Sequence, residues 1–437
     1  MEQLLEQARR VSDQCEVFFQ EQRSDSVSFE NGLLKNIESR DQSGISLRLI
    51  REGRLGFAYT RNLPRPEELL QNALATLPGG VEARYALPER FVPVDGRAYD
   101  PDIENLTNTQ LVEEGRRLAA YLGEKTDGQV NLAVYRSVTR VRLLNSRGSD
   151  LEWRASNYGA HLSLMYPGSY NAVERSWTAK KFSPVPEELP AFILSLYNAS
   201  KSKVRPPGGR MKCLFLPETL YALIWRIQSA ASGKNIFENI SPLKDRVGEK
   251  IFSDHLTLID DPLDSLRPSA RGFDDEGTPC TRYPLIEKGA LVNYYFDLHY
   301  AEKLGVPPSG HGYRTAPWGG EAISTKPRPS LEYLVLEPGR RTFAELLRSL
   351  DRGVVVAGAL GAHSGNIPNG DFSFGLAPGI YVEGGEIRGV LEEAMVAGNI
   401  YDVLRNVEDL EDRVHPAAEG YYPAVLLDGV SVAIGGS

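Results

Sequence analysis

Six histidines, three cysteines and one acidic run are the residues of this 437-residue chain with most chemistry to offer. A hydrolytic zinc centre asks for three protein ligands, commonly two histidines on one helix face and a third donor. No histidine here opens an HExxH pattern. His299 and Glu302, in HYAEK, share a helix face, but without a third ligand they are expected as a surface ion pair. His311 in SGHGYR and His363 in GAHSGN lie in glycine-flanked loops, where functional residues concentrate, and are the candidate functional histidines. Asp274, Asp275, Glu276 and Gly277 match no calcium loop, so a solvated turn is expected. Ser232-Gly233-Lys234 has the tail of a phosphate loop. Gln228 stands where that loop needs a glycine, and Asn235 where a Ser or Thr would hold magnesium, which excludes it. Cys15, Cys213 and Cys280 form no CxxC pair, and Cys213 is expected as a small core residue.

The element best placed to present chemistry is the helix expected over 217–231. Pro217 suits a first helical position and Glu218 the positive end of the dipole. Leu220, Leu223, Ile224, Ile227, Ala230 and Ala231 recur at the three-and-four spacing of one buried face, with Gly233 as the stop. Before this helix the sequence predicts a first helix over 2–14, then strands at 15–20, 26–29, 33–38, 45–50 and 56–60. A helix opened by Pro64 and a connector over 78–101 follow. A second set repeats the recipe, with a helix over 111–122, strands at 131–135, 140–145, 151–155 and 161–166, and a helix over 190–200. Gly44 answers Gly159 in a weak internal duplication. Residues 201–210 read as the linker. After the central helix, EKGALVNYYFDL and VEGGEIRGVLEEAMVAG carry Gly-centred hairpin turns. Helices are few there, with 298–304 and 343–350 the clear ones.

The expected fold class is therefore α+β: an N-terminal α/β-meander domain over 1–205, followed by an antiparallel β-rich C-terminal domain over 206–437. With 41% hydrophobic and 24% charged residues, two sizeable cores are within reach. A net charge of -9 argues against a broad nucleic-acid or anionic-membrane surface. No run of about 18 apolar residues, the length that spans a bilayer, occurs. The first residues, MEQLLEQARRVSDQ, lack the apolar core of a signal peptide, and the spaced cysteines suit a reducing compartment. A cytoplasmic protein is the expectation.

Three blocks then carry a resemblance: ASGKNIFENISPLKDRVGEKIFSDHLTLIDDP, ARGFDDEGTPCTRYPLIEKGALVNYYFDLHYAEKLG and NGDFSFGLAPGIYVEGGEIRGVLEEAMVAGNI. Together they resemble the TldD/PmbA family, also described as candidate modulators of DNA gyrase, and are nearer its PmbA/TldE branch. The resemblance implies a peptidase system. TldD carries a zinc-binding HExxxH helix and a cysteine ligand near its C-terminus, and pairs with a PmbA/TldE subunit to cleave peptides or unfolded segments. Aligned on Gly233 and Val247–Glu249, the zinc helix falls on 217–231. Ile224 then takes the first histidine position, Trp225 the glutamate position and Ser229 the second histidine position. Residues 413–437 hold no cysteine. The resemblance thus implies a subunit that binds no zinc or other cofactor itself, with zinc in a TldD-type partner.

That subunit reading, with a homodimer when isolated and a heterodimer in the cell, is the leading expectation. The competing ones are an autonomous hydrolase using His311 or His363 with nearby carboxylates, and a non-catalytic binder of peptides or of gyrase that adds a strand at a sheet edge.

Overall fold

The computed structural model describes residues 1–62, 65–95, 97–315, 319–418 and 420–435. Its first half is a sheet built twice over. Strands β1 (Gln14–Glu30), β2 (Leu33–Arg51) and β3 (Arg54–Thr60) form one antiparallel meander. Strands β4 (Gln129–Asn145), β5 (Asp150–Met165) and β6 (Ala172–Ala179) form another. Antiparallel pairing of β1 with β4 merges them into one sheet of order β3-β2-β1-β4-β5-β6. The helices Glu2–Arg9 and Pro66–Ala75 flank the first meander, and Asn108–Gly123 and Glu188–Ala199 the second, so the duplication is visible in element order. Gly44 and Gly159 lie on the equivalent middle strands. A Cβ on Gly44 would sit 2.2 Å from Ile323 Cδ1, and one on Gly159 2.6 Å from the Tyr135 hydroxyl.

Several strands predicted as short are single long ones, because β1 and β4 each find partners on both sides for most of their length. The first helix stops at Arg9, since Gln14 already pairs with Ile50. Pro64 lies outside the described residues, and the helix after β3 spans Pro66–Ala75. The helix Asn108–Gly123 starts on a capping box between Thr107 and Gln110 and buries Leu111, Leu118 and Leu122.

The second half is β-rich, with helices few and short. Its large sheet places Gly209–Phe215 between Val425–Ile434, antiparallel, and Arg352–Val356, parallel. The linker expected over 201–210 contains Lys203–Val204, which pairs with Val390–Leu391 as the last strand of that sheet. A smaller sheet contains Leu258–Asp260, Tyr283–Glu287 and Leu334–Leu336. Both predicted hairpins form, turning at Lys288-Gly289 and Gly384-Gly385, each with positive φ at both residues. One apolar core lies within this half and includes Cys213, Phe215, Leu223 and Val396. A second joins Val27 and Leu132 of the N-terminal sheet to Leu214, Val355 and Leu426 of the large sheet, through the helices at 108–123 and 188–199. No helix among the described residues is long and apolar enough to cross a membrane.

Candidate functional site

The central helix runs from Tyr221 to Ala231, preceded by a single 3-10 turn at Pro217–Thr219. All six residues of its predicted apolar face are buried, Leu220 at 1% exposed and Ile224 at 2%. Burial extends further round than one stripe and takes in Arg226, whose guanidinium donates to the carbonyl oxygens of Ala222, Ala362, Ser364 (2.7 Å) and Asp371 (2.6 Å). Burial lowers its pKa to about 10. Arg226 thereby ties the loop bearing His363 to the helix.

Gly233 does not end this helix in a left-handed conformation. Ser232 turns the chain in extended geometry and Gly233 opens a short second helix, Gly233–Phe237. Glycine is required because the Tyr295-Phe296 backbone passes alongside. The Gly233 N–H donates to Tyr295 O at 2.8 Å, and a Cβ would lie 2.3 Å from Phe296 Cδ1.

The outward face of the helix forms one wall of a cleft of about 450 Å³. Trp225, Ser229 and Ser232 line that wall, with Lys234 and Asn235 beyond them. Tyr295, Asp297, His299 and Tyr300 contribute a second wall and residues 326–330 a third. The N-terminal sheet closes the cleft with Arg48 of β2 and with Tyr85 from the connector. Ile224 lies instead in the hydrophobic core, while Ser229 Oγ accepts from Asn235 Nδ2 at 3.0 Å.

At the cleft base the acidic run Asp274–Gly277 is not solvated. Asp274 and Glu276 are each 1% exposed and Asp275 7%. Asp274 accepts from the N–H groups of Glu276, Thr278 and Gly312. Asp275 takes the Arg271 guanidinium at 2.8 Å and the Arg314 N–H. Glu276 Oε1 meets Arg48 Nη1 at 2.6 Å, and its Oε2 accepts from Leu298 N. Arg48 also holds Glu16 at 2.6 Å, and Glu16 holds Arg314 at 2.8 Å. The result is an alternating ladder of buried charges between β1, β2 and the C-terminal half. Burial raises the pKa of Glu276, and burial together with the Glu276 charge raises that of Asp297. Buried charges pair in this way because an unpaired one is costly.

His299 also departs from expectation. It lines the cleft edge-on to Tyr300 and Tyr85 instead of pairing with Glu302 at the surface, and burial followed by the Lys303 charge lowers its pKa. His311 and His363 are placed differently from each other, and neither lines the cleft. His311 is 1% exposed, packed on Tyr283 and Tyr295. Its Nδ1 meets Ser309 Oγ at 2.9 Å, and its Nε2 faces Asp260 at 3.4 Å. His363 sits in the exposed loop held by Arg226. Cys15, Cys213 and Cys280 are all buried, with burial pushing each thiol pKa up and Cys15 to about 11. Among the described residues no group of three or more His, Cys, Asp or Glu is placed to hold a metal ion.

Sequence reasoning missed Arg48, Asp297, Tyr295 and Arg328 as cleft residues. Only Asp297 carried a local signal, as an N-cap directly before the 298–304 helix.

Comparison with known proteins places this architecture. Residues 208–434, which include the central helix and most of the cleft, match the model of the PmbA/TldA metallopeptidase C-terminal domain, and residues 15–77 match that of domain 1. The chain belongs to the PmbA/TldD family. Among its relatives, a metalloprotease PmbA homolog of Haemophilus influenzae is 26% identical, covering 93% of this chain and 89% of that one. The metalloprotease PmbA of Escherichia coli O157:H7 is 24% identical over 98% and 94%. Crystal structures share the fold. TldE from Thermococcus kodakarensis superposes with a TM-score of 0.90 at 24% identity, covering 99% of both chains. A candidate modulator of a DNA gyrase from Thermotoga maritima gives 0.84 at 25% identity, again over 99% of both. The α+β class is thereby confirmed, and the PmbA/TldD relationship sets the chain in a metallopeptidase family.

Proposed function

We propose that this chain is a PmbA/TldE-type subunit that holds peptides or unfolded segments while a TldD-type partner supplies the zinc and cleaves them. One observation carries the reading: the helix face turned to the cleft bears Trp225 and Ser229. These are the positions that the family pattern gives to the glutamate that activates water and to the second histidine. Zinc asks for imidazole, thiolate or carboxylate donors. Ile224 is a buried hydrocarbon, Trp225 offers only an N–H donor, and Ser229 offers a neutral hydroxyl already bonded to Asn235. These residues do not fit a zinc ion, and no step of hydrolysis is assigned to them.

What the chain supplies is a shaped cleft. The aromatic rings of Trp225, Tyr295 and Tyr300 offer apolar and stacking surface to side chains, and the Arg48–Glu276 pair fixes the floor. The same reading gives a homodimer in isolation and a heterodimer with the TldD-type chain. The hydrolase alternative loses support from the seclusion of His311 away from both the cleft and solvent.

Size-exclusion chromatography with in-line metal analysis tests this proposal. The chain alone should elute as a dimer without stoichiometric zinc, and shift to a zinc-bearing heterodimer when the TldD-type chain is added. Stoichiometric zinc in the isolated chain would overturn it.

A further inference from the structure

The cleft is electrostatically lopsided in a way that the family relationship does not supply. Among the described residues its lining contains four cationic side chains, Arg48, Lys234, Lys326 and Arg328, against two carboxylates, Glu276 and Asp297, and one histidine, His299. The carboxylates do not balance the cations. Glu276 is committed to Arg48 at 2.6 Å, and Asp297 caps the N–H of Tyr300 at 2.8 Å while burial favours its neutral form. His299, its pKa lowered by burial, adds no negative charge.

Among the described residues, Lys234, Lys326 and Arg328 therefore line the cleft with no carboxylate in ion-pair contact. Lys234 and Lys326 are exposed. Lys326 approaches the Phe57 ring at 6.0 Å, and the Nε of half-buried Arg328 is shielded from water yet has no hydrogen-bond partner among the described residues. Three uncompensated cations around one concavity in a chain of net charge -9 concentrate positive potential there, since low-dielectric walls focus it. The aromatic wall opposite suits side chains of an extended segment, and the planar Arg328 fork suits a carboxylate.

We propose that this cleft binds extended peptide segments through their carboxylates, with Lys234, Lys326 and Arg328 as the anion-binding side chains, so that acidic segments are the preferred cargo. The inference rests on the peptide-holding reading above and narrows its substrate class. The carboxylate can come from aspartate or glutamate side chains or from a free C-terminus, and the two sources are separable.

Fluorescence anisotropy of the full-length chain with short fluorescein-labelled peptides provides the test. A glutamate-bearing peptide should bind about tenfold more tightly than its glutamine counterpart, with a preference that shrinks as salt rises. Amidation of the C-terminus separates the two sources: it should leave the glutamate preference intact, whereas loss on amidation with none on Glu-to-Gln exchange would assign the terminal carboxylate and overturn the preference for acidic segments. The triple variant K234Q/K326Q/R328Q, checked for an unchanged melting temperature, should lower binding of the acidic peptide to the level of the neutral one. Equal affinity for all peptides would overturn the inference while leaving the peptide-holding role intact. Tighter binding of a short oligothymidylate than of any acidic peptide would also overturn it. Failure of every peptide to bind would instead remove the peptide-holding reading on which the inference stands.

Discussion

Arg48 of the N-terminal sheet and Glu276 of the C-terminal half meet at 2.6 Å, each side chain 2% exposed, and the pair forms the floor of the cleft. The two halves are therefore joined at the candidate site by buried charge as well as by the shared apolar core. Breaking such a pair strands the remaining charge away from water. R48A is expected to lose about 3–5 kcal/mol of stability, whereas the apolar double variant R48M/E276L should lose less than R48A alone. Urea unfolding of the three proteins measures both.

The close passage of Gly233 beside Phe296 gives a second prediction. G233A places a methyl 2.3 Å from Phe296 Cδ1 and 3.0 Å from Tyr295 O, so the buried Phe296 ring must shift. A destabilisation of about 1–3 kcal/mol is expected, the usual cost of overpacking. Adding F296A should return part of the loss attributable to the clash, which a double-mutant cycle detects.

Asp274 gives a pH dependence. Burial, followed by the charge of Glu276, raises its pKa from 3.8 to about 8 against the opposing pull of three backbone N–H donors. The folded state thus retains a proton that the unfolded chain has released. Its contribution is fully present below the unfolded pKa, falls as pH rises through the window between 3.8 and about 8, and is gone above it. Urea midpoints measured across that window should fall with pH, and D274N should show a shallower fall. An identical slope in the variant would assign the titration to other groups.

Rebuilding the ligand pattern on this helix should not rebuild the metal site. I224H places an imidazole in a core position 2% exposed, outside the cleft lining to which Trp225 and Ser229 belong. The triple variant I224H/W225E/S229H is expected to lose stability by about 2–5 kcal/mol, as for other disrupted core positions, and to bind no stoichiometric zinc. Thermal melting with metal analysis decides this, and tight zinc binding would contradict the placement of Ile224.

Much of this was legible in the sequence where the signal is local. The apolar stripe from Leu220 to Ala231, the turns at Gly289 and Gly385 and the helix at 298–304 all follow from spacing and turn chemistry. The acidic run at 274–277 was misread because its burial depends on Arg48, 228 positions away, and on the Gly312 N–H, neither of which leaves a mark beside it. His299 was misread for a related reason: helix periodicity gives its face, but only the connector bearing Tyr85 makes that face a cleft wall. Gly233 reads in the sequence as a helix stop, but it opens the next helix, and a tertiary contact with Phe296 explains the glycine instead.

The central claim is division of labour, and hydrolysis of a labelled unstructured peptide tests it most directly. This chain alone, the TldD-type chain alone and their mixture are assayed at equal concentration. The account predicts no turnover by this chain alone and turnover by the mixture that exceeds the TldD-type chain by itself. Full activity of this chain in isolation, unchanged on adding the partner, would contradict it.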